Sequence, residues 1–330
     1  MKVFRSKKLW HSMLLVSCIF SALISSAHAQ NNPYPQKPVK VVVAFTAGGT
    51  TDILARIVAQ QLTEKLKQSF LIDNKPGAGG NLGTEIVVRA PADGYTLIVN
   101  SVGPMAVNTT LYGKLPYNPM TDLMPIVQIA DVPNVLVVHP SVPAKNMEEF
   151  IAYAKANDGK LNYGSTGIGT SSHLSSFMLA KRAGFDATHV PYKGADALKD
   201  LLAGRIQFMF ATIPSVMPQI QAGKLRSLAV SSLKRSRSMP EVPTVIETGL
   251  PNFEAGSWFG FFAPKGTPDI VITTVNKAVN EILSSPAIEQ QMIVQGADPV
   301  GGTSVQFGQF VQRETDKWRV IVKESGAKAE

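Results

Sequence analysis

Short runs of β-branched residues alternate with helical patterns along nearly the whole chain, and that alternation restricts the fold more than any other feature. It starts at residues 39–45, continues through an apolar stripe at Ile53, Ile57 and Leu62, and returns to a strand pattern at 70–73. Such βαβ units build parallel sheets with helices on their faces. Further strands are predicted at 95–99, 135–139, 161–164, 188–190, 206–210 and 225–231, with helices at 147–156, 171–182, 195–203 and 214–222. The C-terminal part reads as helical at 268–283 and 303–323. There Phe307, Phe310, Val311, Trp318 and Ile321 recur at helical spacing, which assigns Trp318 to a core.

Proline-rich joints at 125–143 and 240–251 bracket one compact βαβ block. Two joints of this kind point to one lobe inserted into another, with the chain crossing between them twice. The expected division is a first lobe of 30–135 with 255–330 and a second lobe of 136–254. Two α/β lobes place a ligand cleft where strand C-termini from both face each other.

Lys2, Arg5, Lys7 and Lys8 precede an apolar run from Leu9 to Ile24, and Ala27-His28-Ala29 follows it. That order is a secretory signal peptide cleaved before Gln30, so residues 1–29 are set apart from the fold. His11, Ser12, Ser17 and Ser21 interrupt the run, which falls short of the roughly 20 apolar residues of a membrane span. Leu15-Val16-Ser17-Cys18 offers a competing lipoprotein site, but the apolar stretch before Cys18 is short and continues past it. On either account the protein is exported.

The four basic residues of the leader take the formal charge from +8 to +4, leaving 28 Lys and Arg against 24 Asp and Glu. These are spread along the chain without the basic stripe of a nucleic-acid binder, so no nucleic acid is expected as a partner. Lys234-Arg235-Ser236-Arg237 is the one cluster, and it reads as a solvated loop. Without a cysteine after Cys18, the mature chain relies on buried apolar surface, which a hydrophobic content of 45% supplies.

The first informative turn is Ala47-Gly48-Gly49-Thr50-Thr51-Asp52, which ends a strand and opens a helix. Glycines and hydroxyl residues there expose backbone N–H groups beside a positive helix end, a setting for carboxylate or phosphate. The same residues also serve a purely structural account: the glycines make the turn, Thr50 or Thr51 caps the helix, and Asp52 pairs with Arg56. A carboxylate at position 52 would repel an anion unless water or a ligand donor came between. The second turn, from Tyr163 through Ser165, Thr166, Gly167, Gly169 and Thr170 to His173, repeats the strand–turn–helix pattern. His173 has no carboxylate near it in sequence and is assigned to structure. Gly77-Ala78-Gly79-Gly80-Asn81 is assigned to structure as well.

Enzyme motifs fail. Residues 164–171 lack the Walker lysine, Gly167-Ile168-Gly169 lacks the third glycine of a dinucleotide fingerprint, and no G-x-S-x-G occurs. His139, His173 and His189 have no metal-ligand spacing. No catalytic residue, metal or cofactor is called for.

The turns and several other motifs resemble the periplasmic binding proteins of tripartite tricarboxylate transporters, the Bug family. The resemblance runs from about Tyr34 to the end, through 44–52, 74–81, 92–97, 163–167, 189–194, 222–226 and Ser257-Trp258-Phe259-Gly260. It implies a two-lobed α/β periplasmic-binding-protein fold, a Venus flytrap of type II-like form. It further implies a monomer in the periplasm that grips a small carboxylate, with bridging waters, for delivery to a membrane permease. Carried over by position, the ligand shell is Phe45, Ala47, Gly49, Thr50 and Asp52, then Ser165, Thr166, Gly169, Thr170 and His173, with Ser101, Ala211 and Trp258 as further walls. Relatives often carry Asp where this chain has Ala211, which puts a polar contact there in doubt. Two rival functions are an enzyme of the same fold using His173 and Asp52, which would turn its ligand over, and a sensory module that signals through a receptor.

Overall fold

The computed structural model describes residues 34–325 and 327–329. The leader, its cleavage before Gln30 and Cys18 lie outside the described residues. The described residues from Lys37 onward make one compact unit.

The strands are β1 (Val39–Val43), β2 (Phe70–Asn74), β3 (Thr96–Ser101), β4 (Leu123–Val132), β5 (Asn134–Val138), β6 (Leu161–Ser165), β7 (Ala187–Pro191), β8 (Phe208–Thr212), β9 (Arg226–Val230), β10 (Ser257–Pro264) and β11 (Asp298–Gly301). The helices are α1 (Thr50–Leu66), α2 (Asn81–Val88), α3 (Asn108–Leu111), α4 (Pro119–Asp122), α5 (Met147–Ala156), α6 (Ser171–Ala183), α7 (Asp196–Leu202), α8 (Ile213–Gln221), α9 (Asp269–Leu283), α10 (Pro286–Val294) and α11 (Ser304–Ser325). One sheet has the order β11-β4-β10-β3-β1-β2 and the other β7-β6-β8-β5-β9.

β1 reads Val-Lys-Val-Val-Val and is buried at every position except Lys40, as suits a strand inside a helix-covered sheet. It pairs in parallel with β2 and β3, as β6 does with β7 and β8. The sheets are nevertheless mixed: β10 pairs antiparallel with β3 and β4, and β5 antiparallel with β8 and β9. The sequence pattern misses β4, β10 and β11 and the helices α2, α3, α4 and α10. Most of β4 lies in the first proline-rich joint, where Pro125 sits at a register shift against Phe262 and so spares the ladder its missing N–H. The buried stripe of α1 is Leu54, Ala55, Val58, Ala59 and Leu62, one position on from the Ile53 and Ile57 expected, which are half-buried.

β10 is buried throughout and central to its sheet. Trp258 meets Phe307 edge-on at 5.7 Å, and the Trp258 and Trp318 indoles both donate to Glu314 Oε2, at 3.1 and 3.0 Å. Trp258 is therefore core and lies outside the cavity lining, while its neighbours Ser257 and Phe259 point to the opposite face, as strand alternation requires.

The chain passes between sheets at Pro133, after β4, and again between β9 and β10. The two crossings are tied by buried polar bonds. Asn134 Nδ2 and Ser231 Oγ donate to the Ala255 carbonyl at 2.8 and 2.6 Å, and the Asn134 N–H donates to Ser231 Oγ at 3.0 Å.

Candidate functional site

Strand order fixes where a site can form. In the first sheet the chain turns one way from β1 to β2 and the other way to β3, so a crevice opens at the C-terminal ends of β1 and β3. The second sheet repeats this at β6 and β8. Both glycine-rich turns leave from these ends, β1 into α1 and β6 into α6. Between them lies a cavity of about 630 Å³ counting its open mouth.

The lining includes Phe45, Gly49, Thr50, Thr51 and Ser101 from the first side and Thr166, Thr170, Ser171, Met209 and Thr212 from the second. Gly49 is the N-cap of α1 in extended conformation and caps without a side chain, so neither Thr50 nor Thr51 is the cap; they open the helix proper. Thr170 caps α6 with its hydroxyl. A helix has no internal acceptor for its first N–H groups. Those of Thr50, Thr51 and Ser171 meet none among the described residues either.

Six of the residues expected as ligand shell line this cavity: Phe45, Gly49, Thr50, Ser101, Thr166 and Thr170. The other six, Ala47, Asp52, Ser165, Gly169, His173 and Ala211, do not. Ala47 is exposed on the turn, and Ala211 is buried in an apolar cluster with Val135 and Met209.

Asp52 is occupied in full. Its carboxylate accepts from the Gly48 N–H at 2.9 Å, from Arg56 at 2.9 Å on each oxygen, and from Asn74 Nδ2 at 3.0 Å. Burial alone would raise its pKa, but the hydrogen bonds from Arg56, Gly48 and Asn74 and the Arg56 charge outweigh burial and hold it below the usual range. It fixes the turn from behind and leaves no free oxygen facing an anion.

The second turn is braced by rings. His173 stacks on His189 at 4.1 Å, and His189 stacks on Tyr163 at 4.9 Å. His189 Nε2 bonds Ser165 Oγ at 2.7 Å, and the Gly169 N–H donates to His173 Nδ1 at 3.3 Å. Burial pushes His173 down to about 4, and burial with the adjacent His173 pushes His189 down to about 3. Both imidazoles are neutral at pH 7, and the polar atoms of Ser165, Gly169 and His173 serve the turn itself.

The two sides touch around the cavity. Thr50 Oγ1 and Thr212 Oγ1 are 2.6 Å apart, and Thr46 Oγ1 accepts from the Ala195 N–H at 2.8 Å. A Cβ on Gly194 would lie 2.4 Å from that hydroxyl, and one on Gly79, at φ +62°, would lie 2.2 Å from the Ile168 carbonyl. Gly79 is thus a contact residue between the sides and not part of the lining.

Thr51, Val102, Ser171, Leu198, Ser215 and Val216 also line the cavity without having been expected there. Thr51 and Ser171 sit within the quoted turns. Val102 follows β3, and the others lie on helices that flank β8, so their signal was the switch-point topology.

Residues 54–327 match the tripartite tricarboxylate transporter family receptor. The chain belongs to that family. It is 37% identical over 319 residues to Protein BugT of Bordetella pertussis, spanning 96% of this chain and 98% of that one. Among solved structures, it is similar to R. palustris Rpa4515 with adipate, at 38% identity and a TM-score of 0.88, covering 89% of this receptor and 99% of that chain. It is also similar to MatC from Rhodopseudomonas palustris with bound malate, at 33% identity and a TM-score of 0.83, covering 88% and 100%. This receptor is accordingly a solute-binding protein of periplasmic type. Among its described residues no group of three or more His, Cys, Asp or Glu is placed to hold a metal ion, and no helix is long and apolar enough to cross a membrane.

Proposed function

We propose that this receptor captures a small carboxylate in the cavity between its two sheets and delivers it, unchanged, to the permease subunits of a tripartite transporter. The lobes of this carrier are 30–135 with 255–330 and 136–254, acting as a monomer in the periplasm after cleavage before Gln30. The observation that carries the proposal is the pair of helix N-termini, α1 and α6, whose first N–H groups lack an acceptor and whose residues line one cavity. Hydrogen bonds to a charged group contribute about 1.5 to 3 kcal/mol each, and helix dipoles add to them. Adipate in one relative and malate in another agree with this chemistry. Asp52 and His173, the groups an enzyme of this fold would use, stand behind the lining, with both Asp52 oxygens and His173 Nδ1 engaged. In this carrier Asp52, Ser165, Gly169 and His173 position the turns.

Closure follows from contacts only the closed form makes: a carboxylate bonded to both turns draws them together. The test is thermal unfolding of the purified protein against mono-, di- and tricarboxylates, aromatic acids and amino acids. A bound acid at a hundred times its Kd stabilises by about 2.7 kcal/mol, a clear rise in Tm. Chromatography after incubation should return the acid intact. An acid consumed during incubation would overturn the carrier role in favour of an enzyme.

A further inference from the structure

The cavity lining is divided by chemistry. Several helices begin at its wall, and they differ in what surrounds their first turns. Before α7 the Ala195 N–H is taken by Thr46 Oγ1 at 2.8 Å, and Asp196 sets a negative charge in the first turn of that helix. At α8 the Ile213 N–H is taken by the Pro133 carbonyl at 3.3 Å, and Pro214 has no N–H to give. The hydroxyls near α8 are engaged too: Ser215 Oγ donates to the Thr212 carbonyl at 2.7 Å, and Thr212 Oγ1 pairs with Thr50. The α1 and α6 termini are the two that leave the glycine-rich turns, and beside them the hydroxyls of Thr51, Ser101, Thr166 and Ser257 line the cavity without a partner among the described residues.

Each helix end carries about half an elementary charge, so two of them answer roughly one carboxylate. The rest of the lining offers a second carboxylate neutral hydroxyls but no cation among the described residues. Phe45, Phe259, Ala197, Leu198, Met209 and Val216 are apolar, and no ionisable side chain is among the described residues that line this cavity. Ala197, Met209 and Val216 belong to the buried apolar cluster of the second sheet, with Leu198 packed against it. A carboxylate pressed onto that surface loses its water and gains no partner.

We infer that this receptor selects a monocarboxylate with an apolar body, its single charge on the α1 and α6 termini and its body on Leu198, Met209 and Val216. The inference rests on the carrier reading above and narrows its ligand class. It differs from what the lining of glycine-rich turns alone would select, since those turns hold a carboxylate whatever is attached to it.

The experiment uses matched pairs that differ by one carboxylate, hexanoate against adipate and 4-methylbenzoate against terephthalate, titrated calorimetrically into the purified protein at pH 7.5. The expected result is that the monoacid binds at least about tenfold more tightly within a pair that binds. Leu198→Lys, at a half-buried helical position, should reverse this and improve the diacid at least about tenfold relative to its monoacid. A diacid that matches or exceeds its monoacid on the unaltered protein overturns this selectivity and leaves the carrier standing. Failure of every acid, in these pairs and in the wider panel, overturns the carrier itself and the selectivity with it. The unaltered protein decides the matter even if the variant does not fold.

Discussion

Asp52 was legible from sequence as a helix-opening acid four residues before Arg56, but not as a residue already spoken for. Spacing gives an i,i+4 pair; it does not give the donation from the Gly48 amide, set by the turn's conformation, or that from Asn74 Nδ2, which depends on β2 lying beside β1. Asp52→Ala should therefore cost about 2 kcal/mol in urea unfolding at pH 7 and weaken ligand binding about tenfold, although the side chain does not line the cavity. Undiminished affinity in a destabilised variant would show that the turn holds its shape without it. Because its folded pKa is lowered, this contribution is present above the unfolded value of about 3.9 and is lost as pH falls through the folded one.

The ring stack gives the β6–α6 turn a pH dependence of its own. His173 and His189 are pushed down to about 4 and about 3, below an unfolded value of about 6.5. The unfolded chain therefore takes up protons that the folded one refuses. Stability is held in full above about pH 6.5 and falls as pH drops toward the folded values. Between pH 7.5 and 4.5 the loss should be on the order of 5 kcal/mol for the two rings together by denaturant titration, with His173 showing no NMR titration above pH 5. An imidazole titrating near 6.5 would contradict the stack. At this scale the parallel units around β1 and β6 were readable, since β-branched runs and helical stripes are local signals. β4 and β10 were not: one runs through prolines tolerated at a bulge, and the other is buried along its whole length and shows no alternation.

For the molecule as a whole, sequence conveyed two sheets and a cleft but not which faces of the turns look into it. Of the six expected residues outside the lining, five lie on or beside the two glycine-rich turns and face away from the cavity, and Ala211 lies in β8. Gly79 lies against the Ile168 carbonyl where the two sides meet, a contact that the proposed closure would make. Gly79→Ala should lose about 1 kcal/mol of stability to left-handed strain at φ +62° and bind its ligand at least about tenfold more weakly, as the added carbon holds the sides apart and reduces the binding-competent fraction. Equal affinity in calorimetry would mean that closure does not bring these backbones together.

Of the three tryptophans, two lie in the described residues, and both share a single carboxylate oxygen of Glu314. Trp258 is also flanked in sequence by Ser257 and Phe259, which line the cavity. The protein thus carries a built-in optical reporter, and its intrinsic fluorescence should register an arriving solute without any dye.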